Sequence, residues 1–247
     1  MSWLLLFSII YGGTQSPFTD VYFEKHINTY ILDEERKKDI LAIYNSTRVD
    51  AALYKINEQK RIDELEYQFE QKRTSSDDLT HSFFLIGERR DDLKEKMINV
   101  RLKMQEYIKA DEWALILPEI EKDLRMSETN LDYTQARLEM RFNTIGGIIR
   151  QEIRAENSRE KVLDAFSTHE FLVMDLAKDI RKHRLYDNLT LRSINATRAK
   201  LEVVMEERNQ YCVDLYKTYI ELHQVLAENT TQKEWDSIIH EVKINFK

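Results

Sequence analysis

Apolar residues recur every three or four positions along most of this chain, which is the spacing of one face of an α-helix. The first long stretch with this pattern covers residues 33–73, and a shorter helix is expected before it over residues 18–32. With one adjustment of phase, the predicted apolar side of the long helix comprises Ile40, Ile43 or Tyr44, Val49, Leu53, Ile56, Ile62, Leu65 and Phe69.

A second long amphipathic stretch follows at residues 79–108, after the polar run at residues 74–78. A connection of about five residues between two such helices requires them to lie side by side in opposite directions. The pattern therefore predicts a helical hairpin.

Two further signals lie beyond this hairpin. Asp111 is expected to cap one additional turn, and Pro118 suits the first turn of a separate helix, where its missing N–H is not needed. That helix is expected to kink or end at Gly146-Gly147, because two glycines cost a helix about 2 kcal/mol relative to alanine.

The second part of the chain shows a heptad pattern and then another long helix at residues 198–228. The heptad positions are Val162, Phe166, His169, Val173, Leu176, Ile180 and His183. Thr231 and Glu234 have the spacing of a capping box, in which each side chain accepts an amide proton from the other residue's backbone. They predict a terminal helix that carries Trp235.

Residues 79–117 resemble residues 201–239 when they are aligned 122 positions apart, which superimposes Glu112-Trp113 on Glu234-Trp235. Eight of these 39 positions are identical, against about two or three expected by chance. We expect an internal duplication of roughly 80–90 residues. The alternative is two ordinary amphipathic helices that each end in a tryptophan.

The composition predicts an all-α fold of few, long, antiparallel helices. Only 5 Gly and 2 Pro occur in 247 residues, with 33% charged and 42% hydrophobic residues, which is typical of amphipathic helices. We expect two helical hairpins that form a bundle or a coiled-coil arm. The expected organisation is an apolar segment at 1–16, a first helical unit at 17–117, a connecting helix with a Gly-Gly break at 118–153, and a second helical unit at 154–247.

The N-terminal segment contains a nine-residue apolar run from Trp3 to Tyr11, followed by small residues. Nine residues span about half of a bilayer core, and the run matches the hydrophobic region of a signal peptide, although no Lys or Arg precedes it. An export signal or lipid-facing anchor, the end of a longer membrane helix, and a segment packed on the protein itself all fit. We expect the first, and with it an exported, periplasmic or membrane-associated location in the cell envelope.

The charged residues indicate no catalytic, cofactor or metal site. A net charge of −7 argues against a nucleic-acid binder, which needs a basic surface. No histidine follows a glutamate by three residues, and no nucleophile elbow, phosphate loop or zinc spacing is present. His169 and His183 lie about 21 Å apart along one helix, too far to share a metal ion. The single cysteine, Cys212, is expected to be a small buried hydrophobe.

The two tryptophans in register, Trp113 and Trp235, are the candidate partner-contact residues. Tryptophan is favoured at binding hot spots. The interpretation that we favour is that each indole fixes its short helix against the hairpin, and the exposed anchor for a partner is the alternative.

The sequence Thr231-Gln232-Lys233-Glu234-Trp235 after a long helix resembles a theme in small helical proteins of the bacterial cell envelope. The first copy departs from it, with Lys109 where Thr231 stands. The resemblance implies an exported, non-catalytic helical protein, and it assigns no ligand and no functional residue.

The functional prediction is a non-enzymatic, protein-binding helical module that is exported or membrane-associated, such as a scaffold, an adaptor or a sensor-type ectodomain. Its helix faces would bind a protein partner or a second copy of the chain, and Trp3 to Tyr11 would contact a membrane. One alternative is a cytoplasmic coiled-coil adaptor in which residues 1–16 are buried. A helical-bundle enzyme of unrecognised type is the remaining alternative.

Overall fold

The all-α fold is confirmed by a computed structural model, which describes residues 23–182 and 189–245. Every regular element in these ranges is a helix. Side chains at 55, 124–135, 176–182 and 208 are not described, and Trp3 to Tyr11 and His183 also lie outside the described residues.

Eight helices are described, and six of them have more than ten residues. In chain order they are α1 (Phe23–Tyr30), α2 (Glu34–Glu70), α3 (Ser76–Tyr107), α4 (Ala110–Glu152), α5 (Glu156–Lys182), α6 (Leu189–Arg192), α7 (Arg198–Glu228) and α8 (Gln232–Asn245).

Short polar side chains begin several of these helices. The Asp33 carboxylate accepts hydrogen bonds from the amides of Glu35 and Arg36 at the start of α2, both at 3.1 Å. Before α8, the Thr231 amide donates to Glu234 Oε2 at 2.8 Å and the Glu234 amide donates to Thr231 Oγ1 at 3.3 Å. The predicted capping box is therefore confirmed.

Helix α4 is longer than the sequence indicated. It runs without interruption through Pro118 and through Gly146-Gly147, so the separate turn before Pro118 is wrong and the helix does not end at the two glycines. Packing explains the difference, because Trp113, Ile116 and Ile120 are buried on both sides of the proline and burial can outweigh local helix propensity.

Neighbouring long helices run in opposite directions. Ser82 of α3 hydrogen bonds to Gln68 of α2, whereas Lys96, further along α3, pairs with Asp50, nearer the start of α2. Helices α3 and α7 also run in opposite directions. Ser76 contacts Gln224, and Lys94 pairs with Glu206.

Most of the buried apolar residues belong to two clusters, and we call the groups of corresponding residues within them the first and second lobes. The first lobe combines α1, the start of α2, the end of α3 and the start of α4, and its buried apolar residues are Phe23, Ile27, Ile31, Ile40, Tyr44, Met104, Ile108, Trp113, Ile116 and Ile120. Leu191 and Ile194, from the opposite part of the chain, also pack against this lobe.

The second lobe uses the corresponding positions 122 residues later. Nine of the ten buried positions of the first lobe have a buried apolar counterpart there. These are Ile145, Ile149, Ile153, Val162, Phe166, Leu226, Trp235, Ile238 and Val242. Phe69, from the end of α2, packs into this lobe. We call residues 23–121 the first half and residues 145–243 the second half.

Candidate functional site

Trp113 lies inside the first lobe and joins it to the second half. Its indole is 3% exposed, and Nε1 donates a hydrogen bond to the Arg192 carbonyl at 2.7 Å. The guanidinium of Arg101 lies 4.8 Å from the centroid of the indole ring, which is cation–π geometry. We call Trp113, Arg101, Glu121 and Arg192 the first lock.

Arg101 extends the same connection. This buried side chain donates from Nη2 to the carbonyls of Ser193 at 2.7 Å and Leu191 at 3.2 Å. Burial lowers the pKa of Arg101 to about 10, so the group stays charged at neutral pH. The two carbonyls thus accept hydrogen bonds from a cation that would be costly to bury without partners.

Trp235 makes the reverse connection, from the second lobe to the first half. Its indole is 1% exposed, and Nε1 donates to the Glu70 carbonyl at 3.0 Å. His223 lies edge-on to the ring, with centroids 5.2 Å apart, and its Nε2 is 3.2 Å from the Gln71 carbonyl. A carbonyl only accepts, so Nε2 carries the proton. We call Trp235, His223, Lys243 and Glu70 the second lock.

The two locks correspond position by position. The acceptors of the indoles are residues 70 and 192, and Arg101 and His223 reach the carbonyls of residues 71 and 193 in the opposite half. Each of these pairs is 122 positions apart. Each half therefore completes the lobe of the other.

An ion pair crosses between the halves at each lock. Arg192 Nε lies 3.0 Å from Glu121 Oε1 in the first lock. In the second, Lys243 Nζ lies 2.7 Å from Glu70 Oε2. The two carboxylate side chains are 13% and 16% exposed and the two cationic side chains 41% and 43%, so each pair lies at the edge of the interior and solvent screens it in part.

Both predicted partner-contact residues are interior side chains. Neither Trp113 nor Trp235 forms an exposed anchor, and each holds its helix start against the other half of the chain. Contact with a partner through these indoles stays a prediction, and it would require a lobe to open.

A second polar group is buried where α2, α3 and α7 meet. Glu58 is 8% exposed and accepts a hydrogen bond from Tyr54 Oη at 2.8 Å. Arg90 Nη1 donates to Tyr216 Oη at 2.9 Å, and the Tyr216 ring stacks on Phe83. We call Tyr54, Glu58, Arg90 and Tyr216 the central cluster.

The surroundings of Glu58 raise the pKa of its carboxyl group. Burial raises the pKa of Glu58 to about 7, although the Tyr54 hydrogen bond and the charge of Arg90 act in the opposite direction. Burial also raises the pKa of Tyr54 and of Tyr216. Glu58 is therefore the member of the cluster that changes charge near neutral pH.

Neither Glu58 nor Arg101 is among the candidate residues that the sequence indicated. A signal was nevertheless present, since Arg101 falls between Met97 and Met104 at the spacing of buried positions, and Glu58 stands four residues before Ile62. A charged residue in phase with a buried apolar row is the mark of an internal polar contact.

In the middle of α2, apolar side chains lie on the exposed side and polar side chains on the buried side, which is the reverse of its two ends. Val49, Leu53 and Ile56 were expected on the buried side, but they are 60%, 54% and 56% exposed, so this expectation is wrong. The helix is continuous, and its buried ends fix its rotation. Its inner side then carries Thr47 and Glu58. We call Val49, Leu53 and Ile56 the outer stripe.

Two other residue types that often carry chemistry, a histidine and the cysteine, are buried at His169 and Cys212. The His169 Nδ1 lies 2.9 Å from Thr218 Oγ1, and burial lowers the pKa of His169 to about 4, so this histidine is neutral at physiological pH. Within the described residues, no group of three or more His, Cys, Asp or Glu side chains is arranged to hold a metal ion.

Among residues 23–182 and 189–245, none of the helices combines the length and the apolar composition that crossing a bilayer requires. Comparisons with protein-family models, with curated proteins and with solved structures found no match to this chain.

The locks predict similar roles for the two tryptophans. Trp113→Phe and Trp235→Phe each keep an aromatic ring but leave a carbonyl without its donor. We expect each to lower the free energy of unfolding by about 1–3 kcal/mol, measured by urea denaturation. Tyr67→Phe, at a side chain that is 65% exposed, serves as the control and should change stability by less than about 0.5 kcal/mol. A loss at either tryptophan no larger than that of the control would contradict this role.

Glu58 predicts a pH dependence of stability. The unfolded carboxyl titrates near 4.5 and the folded one near 7, so the folded state binds more protons between these values. Stability should therefore fall as the pH rises through this window, by roughly 3 kcal/mol. We expect Glu58→Gln, which can still accept from Tyr54, to remove this fall.

The measurement is the free energy of urea unfolding from about pH 5 to about pH 8, taken as the difference between the variant and the wild type. Glu64→Gln changes an exposed carboxylate on the same helix and should follow the wild-type profile. Parallel profiles for Glu58→Gln and the wild type would show that Glu58 does not titrate in this range.

Proposed function

We propose that this chain is a non-enzymatic, protein-binding helical module of the scaffold, adaptor or sensor-ectodomain type, and that it is exported or membrane-associated. The observation that carries the binding proposal is the outer stripe. Three apolar side chains over two turns of α2 face solvent, while a carboxylate and hydroxyls occupy the inner side of the same turns. Exposed contiguous apolar surface of this kind is typical of an interaction site.

The occupant that the outer stripe fits is an amphipathic helix of another protein. Val49, Leu53 and Ile56 are spaced at i, i+4 and i+7, which is the repeat by which helices pack along each other. Exposed polar residues border the stripe, among them Asn57 and Lys60, and they suit the polar rim of an interface. Phe171, the counterpart of Val49 in the second half, is also exposed.

We propose further that the two halves arose by internal duplication. Helix starts at residues 34, 76 and 110 recur at 156, 198 and 232, and the cross-connections of the two locks correspond at the same offset of 122 residues. A sequence profile of each half, compiled from related chains, should align with the other profile at this offset. Alignment in a different register would refute the duplication.

The export part of the proposal rests on the apolar run from Trp3 to Tyr11. We expect mass spectrometry of the chain from its native host to find a mature N-terminus near Phe18, or an intact chain in the membrane fraction. An intact Met1 in the soluble fraction would favour the competing location, a cytoplasmic adaptor with the same binding surface.

The binding proposal predicts that charge on the outer stripe abolishes partner capture. A benzophenone side chain placed at the exposed position 52, beside Leu53, should photo-crosslink in the native host to a peptide that forms an amphipathic helix in its own protein. Val49→Glu/Ile56→Glu should remove this adduct. Both side chains are exposed, so the free energy of unfolding should change by no more than about 0.5 kcal/mol per substitution.

The matched control is Phe84→Glu/Val203→Glu, which charges two apolar side chains that are each 59% exposed elsewhere on the surface. The control should keep the adduct. An adduct that survives in the stripe variant would overturn the proposal. A crosslink to a second copy of this chain would overturn the choice of occupant and favour self-association.

A further inference from the structure

The ion pairs of the two locks have a charge pattern that follows the halves. The first half contributes Glu70 and Glu121, which are both acidic, and the second half contributes Arg192 and Lys243, which are both basic. Residues 70 and 192 are counterparts, as are residues 121 and 243. Each lock therefore joins an acidic residue of the first half to a basic residue of the second half.

We propose that these four charges determine which halves can pair, so that a first half accepts a second half and rejects a copy of itself. The inference concerns the internal interface, and it rests on the correspondence of the halves that underlies the proposed duplication. The partner against which the interface discriminates is a second copy of this chain.

The indole contacts alone do not provide this discrimination. Trp113 and Trp235 each donate to a main-chain carbonyl, and a carbonyl is the same whichever residue stands at position 70 or 192. If two first halves paired in the same geometry, the indole bonds would form again. The side chains at the four charged positions would not be complementary.

Pairing two first halves would place Glu70 of each chain against Glu121 of the other. Pairing two second halves would likewise place Arg192 against Lys243. The carboxylates are 13% and 16% exposed and the cations 41% and 43%, so the repulsion is stronger between the carboxylates, which water screens less. Electrostatic mismatch of this kind suppresses wrong partners at protein interfaces. The arrangement found within one chain places opposite charges at both locks.

Lys72 also disfavours the pairing of two first halves. Its ammonium donates to the carbonyls of Ala227 and Thr230, and it lies 5.9 Å from the centroid of the Trp235 ring, near His223. The counterpart of Lys72 is Ile194, which packs in the first lobe beside the carbonyl that Arg101 binds. Two paired first halves would bring the ammonium of Lys72 close to the guanidinium of Arg101.

The test is to exchange charges in the full-length chain in two ways that leave the net charge equal. Glu70→Lys/Arg192→Glu makes both locks repulsive within one chain but complementary between two copies of the same half. Glu70→Lys/Lys243→Glu keeps both locks complementary within one chain. Both variants also carry Lys72→Ile, which gives position 72 the side chain found at position 194.

Each variant is unfolded in urea and refolded at high protein concentration, and its mass distribution is measured by size-exclusion chromatography with light scattering. We expect Glu70→Lys/Arg192→Glu to give an exchanged dimer, in which each half pairs with the same half of the other copy. Its dimer-to-monomer ratio should be about tenfold above that of Glu70→Lys/Lys243→Glu. Equal ratios, with the first variant only less stable, would mean that the ion pairs are ordinary structural contacts, and the proposal would fail.

A second measurement covers the case in which the repulsive variant does not refold. Wild-type chain refolded in about 1 M salt, where the Debye length is about 3 Å, should form more exchanged dimer than in low salt. An unchanged mass distribution would overturn the proposal. Neither measurement uses an external partner, so failure here leaves the proposed partner binding through the outer stripe untouched.

Discussion

The structure depends on one interaction made twice, the hydrogen bond from a buried indole to a main-chain carbonyl of the other half. A buried donor without an acceptor costs free energy, so Trp113 and Trp235 each require the opposite half to be in place. The lobes are consequently not independent domains. Leu191 and Ile194 complete the first lobe, and Phe69 contributes to the second.

Main-chain acceptors also explain how closely corresponding contacts coexist with low sequence identity. The indoles, Arg101 and His223 all bind carbonyls, which place no demand on the side chain of the accepting residue. The apolar counterparts need only similar volume, as Tyr44 and Phe166 illustrate. Positions 70 and 192 can therefore carry opposite charges, and no sequence motif is expected to mark the connection.

Several features were predictable from the sequence because they depend on local chemistry. The amphipathic spacing predicts long helices, and Thr231 with Glu234 predicts the start of α8. Other features depend on packing. Pro118 and Gly146 disfavour a helix locally, yet burial on α4 outweighs them. Periodicity finds the apolar residues of α2 but cannot tell which side faces the core, because the buried ends of the helix decide its rotation. The roles of Glu58 and Arg101 likewise depend on helices distant in sequence.

Helix α4 has 43 residues and is therefore about 65 Å long. It begins in one lobe and ends in the other, as α2 and α3 also do, so these three helices together set the separation and the relative rotation of the lobes. One inserted residue within positions 124–135 would lengthen the helix by about 1.5 Å and turn everything beyond it by about 100°. A loop can absorb such an insertion or deletion, whereas the interior of a helix that joins the two lobes passes it on to every contact beyond it.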